Sequence, residues 1–549
     1  MTDSLPNPRS RRFLVATVIL LFLLRLTTAF LLPRVVKWDE PDYLLLGQNL
    51  WAGRGYTSGW VPEVHYTPLY PAVTGLLDLT LHNPERASDL AFAIFSALLL
   101  LPVWVLAQRT YGRRTAWLAA LLIALFPPFA ISVLYWGTLT EPLYLALIYA
   151  GLALLLVAHE RQSWRRMAGV GMAAGMAYLT RPEAVSFFAA GLLWWLIASH
   201  FHRPQNRQLA ITGSAAYVIA FLLCAAPYIV YLHDQTGRWT VSGKLAVTWD
   251  IGQAVQDRDP AEYDRVTAGL DPEGNEIIWF SPHRFDRNLV QIVAADPGAV
   301  ARRLAQNTRI LVGRFTGRTA FPWPLVPPVA LGLFTVAWSR RRLRREALLA
   351  LGLLPIVTFL PFHVELRFFA PAFVVLLIWS AEGLTRFGDW LVATAEALWP
   401  PLAAGKRAPA LGLLPVGLAI IYLLAAMPAT FRVGVQSTDF GHKDAGLWLR
   451  ENTPPDAVIL TRDIAVALYA ERAWVPSPHA EFDSYLGYAR RHGADYLVTD
   501  ERELTVLRPH LRFLLETDNP PPGLTAVYDR AGNKGRVIVY HLDARVTGE

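Results

Sequence analysis

The chain repeats one pattern along most of its length: an apolar run about as long as a bilayer is thick, then a short loop carrying arginines. Such runs fall near 13–33, 89–108, 116–134, 138–158, 167–180, 184–199, 209–232, 321–338, 346–362, 367–384 and 411–430. Hydrocarbon offers no partner to a bare peptide group, so a run of this kind reads as a membrane-spanning helix. The expected fold is a polytopic α-helical membrane protein with about eleven spans. Composition agrees, since 53% of the 549 residues are hydrophobic and only 17% are charged, well off the balance of a soluble domain. Several runs are short or broken by proline, as in "LFPPFA" at 125–130. The first run follows basic residues, as a signal peptide does, but it is long and lacks a small-x-small cleavage site. It reads as a retained span.

Orientation follows from the loops. Arg9, Arg11 and Arg12, then Arg113 with Arg114, Arg165 with Arg166, Arg203 with Arg207, and "SRRRLRRE" at 339–346 all fall on one face. Basic loops stay on the cytoplasmic side, so the N-terminus is expected inside. The other face receives the bulk: loops 34–88 and 233–320, and the C-terminal segment. Two domains are expected, a transmembrane one over 1–430 and an extracytoplasmic α/β domain over 431–549. In the latter, "DAVILTR" and "ADYLVTD" read as strands, "SYLGYARRHG" as a helix closed by Gly493, and "LTAVYDRAGNKGRVIVYHL" as a hairpin. The net charge of +7 is explained by the loops, so no nucleic-acid partner is expected. The single Cys224 excludes an intrachain disulfide and a cysteine metal site. No glycine-rich phosphate loop and no internal repeat occurs. No cofactor and no metal-ligand set is expected from these residues, and a divalent-cation requirement stays open.

Chemistry-bearing residues gather at the outer face. "KWDEPDYLLLGQNL" places Asp39 and Glu40 just past the first span, and Tyr43, Leu46 and Leu50 recur there at helical spacing. "EVHYTPLYP" carries Glu63, His65 and Tyr66, and "TLTEPLYLAL" puts Glu141 at the outer start of a span. Two outward turns, "LTRPEAV" and "HVELRFFAP", carry Arg181 and Glu183, then His363, Glu365 and Arg367. Acids and arginines meeting repeatedly at one membrane face suggest a polar cavity for an anionic lipid head. Each residue has a plainer alternative. Asp39, two residues before Pro41, and Glu141 and Glu183, each next to a proline, could cap helices. Arg181 and Arg367 could be interface anchors, and His65 a simple loop residue. Arg25, inside the first span, either faces the bundle or snorkels outward.

The order of "WDEPDYLLLGQNL", "YTPLYP", "TEPLYL", "LTRPE", "ELRFFAP" and the C-terminal "LWLRENTPPDAVILTR…YARRHGADYLV" resembles bacterial polyprenyl-phosphate-sugar-dependent glycosyltransferases of the GT-C fold. Their relatives include protein O-mannosyltransferases and lipid A aminoarabinose transferases. The resemblance covers nearly the whole chain. It implies a bacterial inner-membrane enzyme that moves a sugar from polyprenyl phosphate to a lipid, glycan or protein hydroxyl. It also implies that Asp39 is the catalytic base, with Glu40 as its neighbouring acid. Where aminoarabinose transferases carry Lys-Pro-Pro, this chain reads His65-Tyr66-Thr67-Pro68, and the β-trefoil domain of many protein mannosyltransferases is not seen. Chemically, an acceptor hydroxyl needs a base and the departing phosphate needs cations, which carboxylates and arginines supply. A lipid or glycan transporter lined by Arg25, Glu141 and Arg181 is the competing class, and a ligase or polymerase joining lipid-linked glycans shares the same plan. The missing repeats and the bulky outer domain weigh against the transporter.

Overall fold

Six helices are long and apolar enough to cross a membrane: Ser10–Leu31, Pro84–Thr110, Glu141–Arg161, Gln208–Thr236, Leu366–Leu398 and Leu414–Gln436. They come from a computed structural model, which describes residues 8–202, 207–257, 259–281, 283, 289–315, 320–399 and 408–543. The remaining expected spans also hold helices, but shorter ones: Arg113–Leu125, Trp164–Thr180, Ala184–His202, Val326–Phe334 and the pair Arg340–Ala350 and Leu354–Phe359. Proline sets two of these limits. The run near 116–134 stops at Leu125, and Phe126 turns extended (ψ 117°) before Pro127-Pro128. A residue ahead of proline is pushed out of helical geometry, and proline cannot donate to the ladder. The run near 346–362 tightens to a 3-10 turn at Leu351–Leu353, ahead of Pro355.

Close packing in the bundle depends on small residues. The 164–180 helix lies against the 207–236 helix where "GVGMAAGMA" presents Gly171, and a Cβ there would strike the Tyr217 carbonyl. Small residues let transmembrane backbones approach in the absence of a hydrophobic drive between helices. Arg25 faces the bundle, with Nη2 donating to the Ala124 carbonyl at 2.7 Å. That excludes the snorkelling alternative.

The 34–88 loop is largely helical. The expected helix forms as Glu40–Trp51, burying Tyr43 and Leu46. A second helix, Leu69–Leu81, goes beyond the sequence reading. The two meet at Gly47, where a Cβ would collide with the Pro71 carbonyl.

Beyond Gln436 the chain builds a five-stranded mixed sheet in the order 473–476, 458–461, 496–500, 535–542, 524–532. The first three strands run parallel, and the last two form the antiparallel hairpin. Helices Phe440–Asn452, Ile464–Ala470 and Phe482–Arg491 cover the sheet, and Gly493 takes φ +60° after the last of them. The sheet unit is joined to the outer loops by buried polar contacts. Asp264, on the Pro260–Ala268 helix of the second loop, accepts from Arg462 at Oδ1, 2.5 Å away, and its Oδ2 accepts from Arg508 at 2.8 Å and lies 2.9 Å from His479. On the first loop, the Tyr469 hydroxyl accepts the Val36 N–H at 2.9 Å and donates to Glu85 at 2.7 Å. Lys443 donates to Glu85 at 2.8 Å and to the Arg34 carbonyl at 3.3 Å, and Lys37 donates to the Ser437 hydroxyl at 2.7 Å.

Candidate active site

The two adjacent acids do different jobs. Asp39 occupies the N-cap position of the 40–51 helix, yet its side chain makes no capping hydrogen bond. Instead, Oδ2 accepts from Arg367 Nη2 at 3.1 Å and Oδ1 accepts from the Tyr66 hydroxyl at 3.4 Å. The Asp39 side chain is 35% exposed, whereas that of Glu40 is 0% exposed. Glu40 accepts from Arg34 at 2.8 Å, Ser88 at 3.2 Å, the Lys37 N–H at 3.2 Å, and the Thr138 hydroxyl. Arg34 in turn holds Asp89 at 2.8 Å. Glu40 therefore ties the loop to neighbouring elements and is shut off from the surface at which Asp39 is partly exposed. The backbone explains the split. Trp38 adopts φ +61°, a left-handed state costing a non-glycine residue about 1–2 kcal/mol. The Glu40 bond to the Lys37 N–H closes over that turn.

Two guanidiniums and an aromatic ring form the opposite wall. Arg181, which ends the 164–180 helix, donates to Glu141 at 2.7 Å, to Thr140 at 3.1 Å, and to Glu183. Glu141 and Glu183 are thus ion-pair partners of one arginine. Arg367 donates through Nε to Glu365 at 2.8 Å, besides its bond to Asp39. Phe368 lies under both cations, 5.3 Å from Arg181 and 5.1 Å from Arg367. Both arginine side chains are largely buried.

Tyr66 closes the third side. Its ring packs edge-on against Tyr43 at 4.9 Å, and its carbonyl accepts from the hydroxyls of Tyr56 and Tyr228, each at 3.0 Å. Burial, with the charges of Asp39 and Asp42, pushes the Tyr66 phenol well above its ordinary pKa, so it remains a donor. His65 points elsewhere, stacked on Trp279 at 4.0 Å with Nδ1 3.2 Å from Glu63. Burial raises the Glu63 carboxyl, but His65 and the N–H groups of His65 and Tyr66 outweigh it and hold the pKa below the ordinary value. The Glu63–His65 pair braces the turn that carries Tyr66.

The sequence reading missed Lys244. Its ammonium lies 5.5 Å from the Tyr66 ring centre. Burial lowers its pKa, Glu183 and Asp39 oppose that shift, and Arg181 and Arg367 reinforce it. A third cation thus shares the field of the same acids and arginines. No local signal marks it, because Lys244 lies in the long 233–320 loop, far in sequence from its neighbours. The structure therefore gathers Asp39, Tyr66, Glu141, Arg181 and Arg367 into one side-chain cluster and adds Lys244. Glu40 and His65 stand behind it. No group of three or more His, Cys, Asp or Glu side chains among the described residues could hold a metal ion.

A bundle of membrane helices under a mixed sheet, with this site between them, defines the class: a polytopic membrane protein with the GT-C glycosyltransferase fold. Three solved structures are similar. One is the oligosaccharyltransferase of Archaeoglobus fulgidus in the apo form, with TM-score 0.59 and 16% identity, covering 89% of this chain and 70% of that one. The archaeal oligosaccharyltransferase AglB, in complex with an inhibitory peptide and a dolichol-phosphate, gives 0.55 and 16%, covering 97% and 74%. ArnT from Cupriavidus metallidurans bound to undecaprenyl phosphate gives 0.56 and 13%, covering 98% of each chain. Residues 65–231 match the dolichyl-phosphate-mannose-protein mannosyltransferase family. That stretch includes Tyr66, Glu141 and Arg181, and begins after Asp39. No curated protein matches the chain.

Proposed function

We propose that this protein transfers a sugar from a polyprenyl-phosphate donor to an acceptor hydroxyl at the extracytoplasmic face of a bacterial inner membrane. One observation carries the reading: Asp39 makes no capping bond and is held by Arg367 and Tyr66, with Arg181 across the Phe368 ring that it shares with Arg367. Asp39 takes the acceptor proton as the acceptor oxygen bonds to the anomeric carbon. The bond from that carbon to the phosphate oxygen breaks, and its electron pair leaves with the phosphate. Arg181, Arg367 and Lys244 stabilise the charge that develops there. The donor class is supported by the lipid phosphates that occupy two proteins of the same fold.

The deciding experiment incubates purified protein in lipid with labelled polyprenyl-phosphate sugars and membrane extract, and compares Asp39→Asn with wild type. Asn and Asp cap helices about equally well, so only a base role makes the change severe. Turnover is expected to fall on the order of 100-fold or more, with donor binding retained. A fully active variant would refute the assignment. Orientation follows the basic loops: reporter fusions after Arg345 and at the C-terminus are expected on opposite faces, and finding both on one face would overturn the layout.

A further inference from the structure

A cavity of about 640 Å³ lies between the Pro297–Phe315 helix, Val255 and the turn carrying His363. Gln306, Arg309, Arg314 and His363 provide its polar lining, and Ile310 and Val364 much of its apolar lining. One of these groups has a buried polar atom with unmet bonding capacity, and two exposed cations at the rim lack an ion-pair partner among the described residues. Arg309 and Arg314 have no carboxylate partner among the described residues, in contrast to Arg34, Arg181, Arg367 and Arg508, which are all paired. His363 is 8% exposed, and its Nδ1 has no hydrogen-bond partner. A buried polar atom left in that state costs about 1–3 kcal/mol, which a ligand atom can recover. Asn307 fixes the wall, donating to the carbonyls of Leu360 at 2.7 Å and Phe362 at 3.2 Å.

We propose that this cavity is a second anion site, which binds the phosphate head of a lipid. Two unpaired guanidiniums and an imidazole suit a phosphate monoester, which guanidinium grips with two parallel bonds. A lipid is favoured over a free anion by what surrounds the arginines. Leu304 and Val312 on the same helix are 37% and 70% exposed, and Val255 at the cavity is 39% exposed. Acyl chains fit along that apolar surface while the head enters the cavity. The site is distinct from the Asp39 cluster but adjoins it, because His363 Nε2 lies 3.7 Å from Glu365, which holds Arg367.

Binding to the full-length protein in detergent tests this without turnover, so the result is independent of the transferase reading. The probes are dioctanoyl phosphatidate, dioctanoylglycerol and inorganic phosphate. Wild type is expected to bind phosphatidate and not dioctanoylglycerol, with inorganic phosphate at least tenfold weaker, on the order of one lost apolar contribution. Arg309→Gln with Arg314→Gln is expected to weaken phosphatidate about tenfold or more, and His363→Leu several-fold. Arg181→Lys and the opposite-face pair Arg340→Gln with Arg341→Gln are expected to leave it unchanged. Equal binding by wild type and the Arg309/Arg314 variant overturns the site. Loss in the Arg340/Arg341 variant shows unspecific charge attraction and also overturns it. Loss in Arg181→Lys moves the phosphatidate to the Asp39–Arg181 cluster, and inorganic phosphate binding as tightly as the lipid removes the lipid part of the proposal.

Discussion

Replacing Glu40 with Gln while separately replacing Asp39 with Asn separates two carboxylates that are one residue apart. Glu40 is wholly buried and accepts from Arg34, Ser88, Thr138 and the Lys37 N–H. Gln has the same shape but brings an amide N–H₂ against groups that are all donors, and it strips Arg34 of one of two anions. Breaking one partner of a buried ion pair costs about 3–5 kcal/mol. The low end applies, because Asp89 still pairs with Arg34. Asp39 is partly exposed and makes one charged contact, a situation worth about 0–1 kcal/mol. The expected pattern is therefore crossed. Glu40→Gln lowers the unfolding temperature of the purified protein by several degrees, yet the protein that stays folded keeps turnover within about tenfold of wild type. Asp39→Asn leaves unfolding nearly unchanged and loses turnover. Thermal unfolding in one detergent, followed by labelled-sugar transfer per folded molecule, reads both axes. Unchanged unfolding with a hundredfold loss of turnover in Glu40→Gln would refute the division of labour.

Arg367→Lys keeps the charge but loses the planar fork that spans Glu365 and Asp39, so donor affinity is expected to fall about tenfold in a lipid-phosphate binding assay, and Lys244→Met to fall in the same direction; unchanged affinity in both would return these cations to a structural role. In the C-terminal unit, His442 lies 2.7 Å from Asp463 and 3.2 Å from Asp500. Burial opposes its charge, but those carboxylates outweigh it and raise its pKa well above the usual 6.5. A raised folded-state pKa gives stability that is complete below pH 6.5 and is lost as pH climbs through the folded value. Unfolding temperature measured from pH 6.5 upward is therefore expected to show a gap between wild type and His442→Gln that closes toward alkaline pH, and a gap that widens would contradict it.

How much could be read from the sequence depended on range. The strands at 458–461 and 496–500 and the terminal hairpin repeat local patterns and appear, and helices form at the expected spans, six of them long enough to cross a membrane. Arg181 and Arg367 stood out because guanidiniums at span ends need partners, and each has carboxylates. The different roles of Asp39 and Glu40 were not legible, because neighbours share every local cue and only the positive φ of Trp38 turns them apart. Proline next to Glu141 suggested a cap, but Arg181 claims that carboxylate from 40 residues away. Lys244 and the 69–81 helix lie in loops whose conformation is set by distant packing, and no periodicity announces either.

The Tyr469 hydroxyl between the Val36 N–H and Glu85 has a consequence for anyone recombining such enzymes. The C-terminal unit looks like a module that could be cut after Gln436 and exchanged for a relative's. Yet Tyr469, Lys443 and Ser437 on its side are bonded to Val36, Glu85, Arg34 and Lys37 on the other. A graft made at that seam imports a mismatched mould for the short strip ending at Asp39. The natural unit of exchange is discontinuous: the sheet domain travels with residues 34–40 and Glu85, or the transplanted half arrives without the surface that shapes its partner.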